Sequence, residues 1–174
     1  MIQKLIILGF LKKNPASGYD IKKFIKKDLG IFSQLDTSSI YYPLKKMERE
    51  GFIRKKSINQ RDIKRYVYQI TSKGDREFLR LCKEALVSQR RPFIELDIAL
   101  YFLPFVDTKE VLPLLRLRSR FLDSVKQWLI LKRKELKDSP RNLSLLIEHH
   151  FKLALAEKEF IKDMIETVRK KDLF

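Results

Sequence analysis

Apolar positions fall in helical periods over most of this chain, and in a period of two over one short stretch. Residues 2–13 are apolar nearly all round (Ile2, Leu5, Ile6, Ile7, Leu8, Phe10, Leu11), which predicts a buried first helix stopped by Asn14-Pro15. Ser17-Gly18-Tyr19-Asp20 reads as a capping box, a serine followed three residues later by an acid. It opens a second helix with Ile21, Phe24, Ile25 and Leu29 on one face and Lys22, Lys23, Lys26 and Lys27 on the other, closed by Gly30. After a short link, Thr37–Gly51 predicts a third helix whose apolar face is Ile40, Leu44 and Met47. Asp36 or Thr37 can cap its start, and Gly51 can end it in a left-handed conformation. Alternation then takes over. Phe52–Lys56 and Lys64–Thr71, the latter with Tyr66, Tyr68 and Ile70 on one side, predict a β-hairpin with a polar tip at Ser57–Asp62. No Asn-Gly or Asp-Gly occurs there, so the turn is expected to exceed two residues. Ser72-Lys73-Gly74-Asp75 reads as a second capping box, opening a helix through Ser88 with Phe78, Leu81, Cys82, Ala85 and Leu86 inward.

The pattern changes at Gln89-Arg90-Arg91-Pro92, which divides the chain into residues 1–90 and 91–174. Residues 93–103 are dense in apolar side chains and end at Pro104. Asp107 or Thr108 can cap a long helix to about Lys137, with Pro113 suggesting a later start. Its apolar positions form two adjacent stripes. One is Val111, Leu115, Leu122, Val125, Leu129 and Leu136; the other is Leu114, Leu117, Phe121, Trp128 and Leu131. That face is wider than one partner helix covers. Asp138-Ser139-Pro140 turns the chain into a last helix, from Asn142 or Ser144 to about Lys171. The fold class is therefore mainly α with a small β-hairpin. Helix, turn, polar-faced helix and basic hairpin follow in the order of a winged helix-turn-helix, and a helical domain follows them. Two long helices with broad apolar faces need a third element or a second copy, and a homodimer is the economical answer.

Charge sharpens this picture. The chain carries 38 Lys and Arg against 22 Asp and Glu, a net +16, which favours a polyanion partner. Residues 1–76 hold 18 basic and 7 acidic side chains, a net +11, so the polyanion should meet the front half. The third helix then becomes the element to read DNA. Thr37, Ser38 and Ser39 at its N-terminus can hold a phosphate, and Tyr42, Lys45 and Lys46 project toward a groove. Lys22, Lys23, Arg61, Lys64 and Arg65 are placed for the backbone. Tyr19 is expected to pack against the core. No glycine loop for phosphates and no zinc-ligand set occurs, so no enzyme, metal or cofactor is indicated. The adjacent His149 and His150 point about 100° apart on a helix, which does not suit one metal. Phe121, Trp128 and Phe151 can line an effector pocket between domains or subunits, or be plain core. Cys82 is the only cysteine, which fits a reducing cytoplasm, and Leu5–Leu11 is too short to span a bilayer. A cytoplasmic protein with no membrane partner is expected.

Three pieces carry a family likeness. They are Gly18-Tyr19-Asp20-Ile21; Ser39-Ile40-Tyr41 with Leu44, Met47-Glu48 and Gly51-Phe52-Ile53; and Arg65-Tyr66-Val67-Tyr68-Gln69-Ile70-Thr71 with Gly74. In this order they resemble PadR-family transcriptional regulators, and the second half resembles the longer subgroup with a helical C-terminal dimerisation domain. The resemblance implies a repressor or activator that binds a palindromic operator as a homodimer. It also implies Tyr41 at the DNA surface and a small-molecule effector that releases the DNA. The sequence departs from the family at the hairpin tip, which lacks Gly and Pro, and at Pro43, one position later than the family's proline. Two other functions remain open on the residues alone: a non-specific architectural nucleic-acid-binding protein, and a winged-helix module that docks a partner protein.

Overall fold

The structure, a computed structural model, describes residues 1–29, 40–60, 63–89 and 95–170. The chain divides into two compact units, Met1–Arg91 and Pro92–Phe174, each with its own core.

The first unit opens with α1 (Ile2–Lys13) and α2 (Gly18–Asp28). The capping box of α2 closes in both directions. Ser17 Oγ accepts the Asp20 N–H at 3.2 Å, and the Asp20 carboxylate accepts the Ser17 N–H at 3.0 Å. α3 (Tyr41–Arg49) is described from its first turn onward; Gly30 and Asp36–Ser39, with the expected caps, lie outside the described residues. Pro43 is the third residue of α3, where a backbone N–H has no intrahelical acceptor in any case. The ring therefore costs the helix no hydrogen bond, and α3 continues through it. At the other end Gly51 takes φ +77. Phe52 N–H donates to Met47 O, and Gly51 N–H to Glu48 O, both at 2.9 Å, which is the Schellman arrangement.

β1 (Ile53–Gln60) and β2 (Ile63–Ile70) pair antiparallel, with Ile53 opposite Ile70 and Gln60 opposite Ile63. Only residues 61 and 62 separate the strands, so the expectation of a longer turn is corrected. The ladder continues through the largely polar end of β1, where Ser57, Asn59 and Gln60 stay in register with Tyr66, Lys64 and Ile63. Ala16 bridges β2 on its other edge through two hydrogen bonds with Tyr68, at 2.8 and 3.1 Å. α4 (Ser72–Leu86) corrects a second expectation. Its cap is Thr71, whose Oγ1 accepts the Gly74 N–H at 3.1 Å. Thr71 still has the extended backbone of the strand, φ −99 and ψ 169, which is what a cap requires and Ser72 has already left.

The core gathers Ile7, Leu8 and Leu11 of α1, Ile21 and Ile25 of α2, Leu44 and Met47 of α3, Ile53, Tyr68 and Leu81. Ile2 is exposed, as are Ala85 and Leu86 at the end of α4, against the inward placement their spacing suggested. Beside this core Glu77 receives two hydrogen bonds from Arg80, at 2.8 and 3.0 Å, and lies 3.6 Å from Lys4. The Arg80 contact, with Lys4 adding, holds the carboxyl below its usual range. A carboxyl depressed on folding contributes stability above its unfolded pKa and loses it as pH falls through the folded one. We expect thermal melting followed between about pH 3 and 6 to show a smaller acid-side decline in Glu77→Gln than in the unaltered chain. Parallel profiles would remove Glu77 from the acid response.

The second unit begins with α5 (Glu95–Tyr101) and a 3-10 turn at Leu103–Phe105. The expected single segment 93–103 is thus shorter, and residues 93 and 94 lie outside the described ones. α6 (Thr108–Glu135) starts at its Asp107 cap, which accepts the Lys109 N–H at 2.9 Å, and it carries Pro113 inside. α7 (Arg141–Arg169) folds back on α6, so Val111, Leu115 and Leu122 meet Ile161, Met164 and Val168. Arg118–Glu157 and Asp123–Lys158 ion pairs tie the two helices together. One stripe of α6 is therefore used. The other stays open, with Leu114, Leu117, Phe121 and Leu131 each more than half exposed.

Candidate nucleic-acid interface

α3 has two faces with different fates. Leu44 and Met47 are locked in the core, while Tyr41, Tyr42, Lys45, Lys46 and Arg49 are exposed. Tyr42 is the most open of the tyrosines on α3, at 70%. Lys46 lies 4.0 Å from Glu50 one turn on, a solvent-screened pair that leaves the ammonium available. The C-terminal end of the helix is pinned from α4 by Lys73 Nζ, which donates to Glu50 O at 2.7 Å. Lys22 and Lys23 are exposed on α2.

The hairpin sorts its cations by the period of two. Arg54 stands opposite Gln69, Lys56 opposite Val67, and Arg65 opposite Ile58, so Arg54, Lys56 and Arg65 share one face. Arg54 is braced there by Gln69 Oε1 at 3.1 and 3.3 Å. Lys55 is on the other face, with Nζ 4.2 Å from the centre of the Tyr66 ring. Deeper on that face the buried Tyr68 phenol is pushed up by desolvation, with the Glu48 carboxylate and the Tyr41 phenol adding to it. It stays a neutral hydroxyl at physiological pH.

Of the residues singled out in the sequence, the structure brings Tyr41, Tyr42, Lys45 and Lys46 onto one helix and puts Arg65 on the hairpin. Thr37, Ser38, Ser39 and Arg61 lie outside the described residues; Lys64 is placed in β2 by its backbone alone. Sequence reasoning passed over Arg54, Lys55 and Lys56 as site residues. The signal was there, because three consecutive cations on a short strand must populate both faces. It also expected Tyr19 to pack inward, whereas the ring is 67% exposed, one residue past the buried Gly18. Phe121 is exposed, and Trp128 and Phe151 are half-buried. None of the three lines the open apolar cavity of about 570 Å3 in the second unit, which α5, the 3-10 turn and α6 line with Met164. His149 and His150 meet ring to ring at 5.4 Å, and burial first, then His149, lowers the pKa of His150. Among the described residues no cluster of three metal-ligating side chains exists, and no helix is long and apolar enough to cross a membrane.

Residues 7–80, from α1 to the middle of α4, match the Transcriptional regulator PadR-like family. Over these residues the N-terminal unit is similar to this family. Its members are transcriptional regulators, not enzymes. The chain is 39% identical over 77 residues to the negative transcriptional regulator PadR of Bacillus subtilis (strain 168). That stretch is 44% of this chain and spans less than half, 42%, of the relative. The whole chain is similar in fold to solved PadR structures. Bacillus subtilis PadR in complex with operator DNA matches with TM-score 0.78 at 22% identity, over 96% of this chain and 97% of that one. The same protein in complex with p-coumaric acid matches with TM-score 0.73 at 21% identity, over 97% and 99%. The fold is thus the PadR one, a winged helix-turn-helix followed by a helical C-terminal part, mainly α with one two-stranded hairpin. Within this fold α3 is the last helix of the helix-turn-helix and β1–β2 the hairpin that follows it.

Proposed function

We propose that this chain is a sequence-specific, double-stranded DNA-binding regulator of transcription, working in the cytoplasm as a homodimeric repressor released by a small-molecule effector. Residues 1–90 bind the DNA and residues 91–174 pair two copies. The observation that carries the reading is the open face of α3. Tyr42, Lys45, Lys46 and Arg49 are exposed on a helix whose opposite face is anchored in the core, and Arg54, Lys56 and Arg65 share a face of the hairpin next in sequence. A helix of this kind fits a major groove, and the hairpin cations suit the phosphates beside it. Lys22, Lys23, Thr37, Ser38, Ser39, Arg61 and Lys64 complete the proposed contact set. Bacillus subtilis PadR, solved on operator DNA and named a negative regulator, supports both DNA binding and repression.

The pairing of two copies is supported by the open stripe of α6, because contiguous apolar surface of that kind calls for an apolar partner. Two-fold operators call for two copies as well. The effector is supported by the cavity in the second unit, whose volume of about 570 Å3 suits a small molecule, and by the solved PadR complex with p-coumaric acid. Phe121, Trp128 and Phe151 lie outside that cavity's lining, so the cavity is the better place to look.

The test is fluorescence anisotropy on the duplex upstream of the chain's own gene, against a random duplex, with sedimentation to count subunits. We expect two chains per operator and at least about a thousandfold preference for it over random DNA. Equal affinity for both duplexes would make the protein an architectural binder. No binding to any duplex at moderate salt would make the winged helix a protein-docking module.

A further inference from the structure

Gly18 is the first residue of α2 and is buried. Its φ lies in the ordinary range, since Gly51 is the described glycine with a positive one, so the chain path does not ask for glycine here. Space does. A Cβ at position 18 would stand 2.7 Å from Cε1 of Tyr41, 3.4 Å from its Cδ1 and 3.3 Å from Cδ1 of Leu44. The capping box fixes the first turn of α2, so that side of the contact cannot withdraw. Leu44 is fully buried and is held by the core. The Tyr41 ring, 56% exposed at the head of α3, is the partner that can move. Its phenol also adds to the electrostatic surroundings of Tyr68 at the base of the wing. The ring thus lies against the start of α2, with one side left open.

We propose that Gly18 is a positioning residue for DNA contact: the space left by its missing Cβ seats the Tyr41 ring on the DNA-facing side of α3. The inference rests on the DNA-binding reading above. Alanine at position 18 should displace the ring into solvent at little cost to the fold, because an exposed ring gives way more cheaply than backbone does.

The experiment is a double-mutant cycle of Gly18→Ala and Tyr41→Ala in the full chain, read by operator affinity, melting temperature and the NMR signals of the Tyr41 ring. Each single substitution is expected to weaken operator binding about tenfold, and the pair no more than Tyr41→Ala alone. Melting of Gly18→Ala should stay within a few degrees of the unaltered chain, roughly, while the Tyr41 ring signals shift. A Gly18→Ala chain that binds like the unaltered one overturns the proposal. So do additive losses in the pair, or a collapse in melting that Tyr41→Ala does not relieve. If the unaltered chain itself ignores every duplex, the DNA-binding reading falls and takes this role with it. If it binds and the cycle is additive, the positioning role alone falls.

Discussion

Replacing Lys45 and Lys46 together by alanine is expected to weaken operator binding about sixtyfold at 0.1 M salt and to reduce the log–log salt slope by about 1.8. The size follows from counterion release. Each phosphate neutralised on B-DNA contributes ~0.9 to the slope, so two lost contacts, scaled from 1 M to 0.1 M, remove ~0.9 log units each. Competing explanations work against the loss being structural. Both lysines are exposed on α3, and alanine is the better helix former, so the fold should not weaken. The Lys46–Glu50 pair, 4.0 Å apart in solvent, contributes little to stability, and its removal leaves the Glu50 charge to repel DNA slightly more. The control is Lys152→Ala with Lys162→Ala, the same charge change on α7. It should leave slope and affinity near those of the unaltered chain. A salt titration in which the α3 double variant and the α7 control coincide would show that the net charge, and not this helix, attracts the DNA.

The parts of this fold that were legible in the sequence are those set within one helical turn. Ile40, Leu44 and Met47 repeat at helical spacing and are buried; Ser17 and Asp20 sit three apart and close on each other; Gly51 follows the last periodic residue and takes the left-handed turn. What was misread depends on partners elsewhere in the chain. The stripe of α4 runs on through Ala85 and Leu86, but periodicity cannot report where the surface it packs on ends, and both are exposed. Thr71 and Ser72 are interchangeable as caps by residue type. Only the extended backbone that Thr71 inherits from β2 separates them. The cationic face of α3 was legible for the same local reason as its core face. The seat of Tyr41 was not, because it depends on a missing Cβ on another helix, and no spacing rule links positions 18 and 41.

The largest loss of stability from a single methyl group is expected at Gly74. A Cβ there would lie 2.1 Å from the carbonyl oxygen of Phe52 and 2.8 Å from Cγ1 of Ile70. The first is backbone and cannot rotate away. It is also committed, because Phe52 O accepts the Thr71 N–H at 3.1 Å while Thr71 Oγ1 donates to Gly51 O at 2.7 Å. These bonds join the end of α3, the start of β1, the end of β2 and the cap of α4. Moving Phe52 O to admit a methyl would loosen all four at once. We expect Gly74→Ala to cost about 3 kcal/mol, at the upper end of overpacking. That corresponds to roughly 12–24 °C in the melting of the first unit. The other glycines set the scale. Gly51→Ala meets no close atom and should cost only about 1 kcal/mol, from its left-handed backbone. Gly9→Ala meets the Phe78 ring edge at 3.0 Å, which a side chain can yield, and gains helix propensity, so its net effect should stay within about 1 kcal/mol. Calorimetry on the three variants gives the order directly. If Gly74→Ala melts with or above Gly51→Ala, the carbonyl of Phe52 is free to yield, and the wing is not fixed to α3 through this junction.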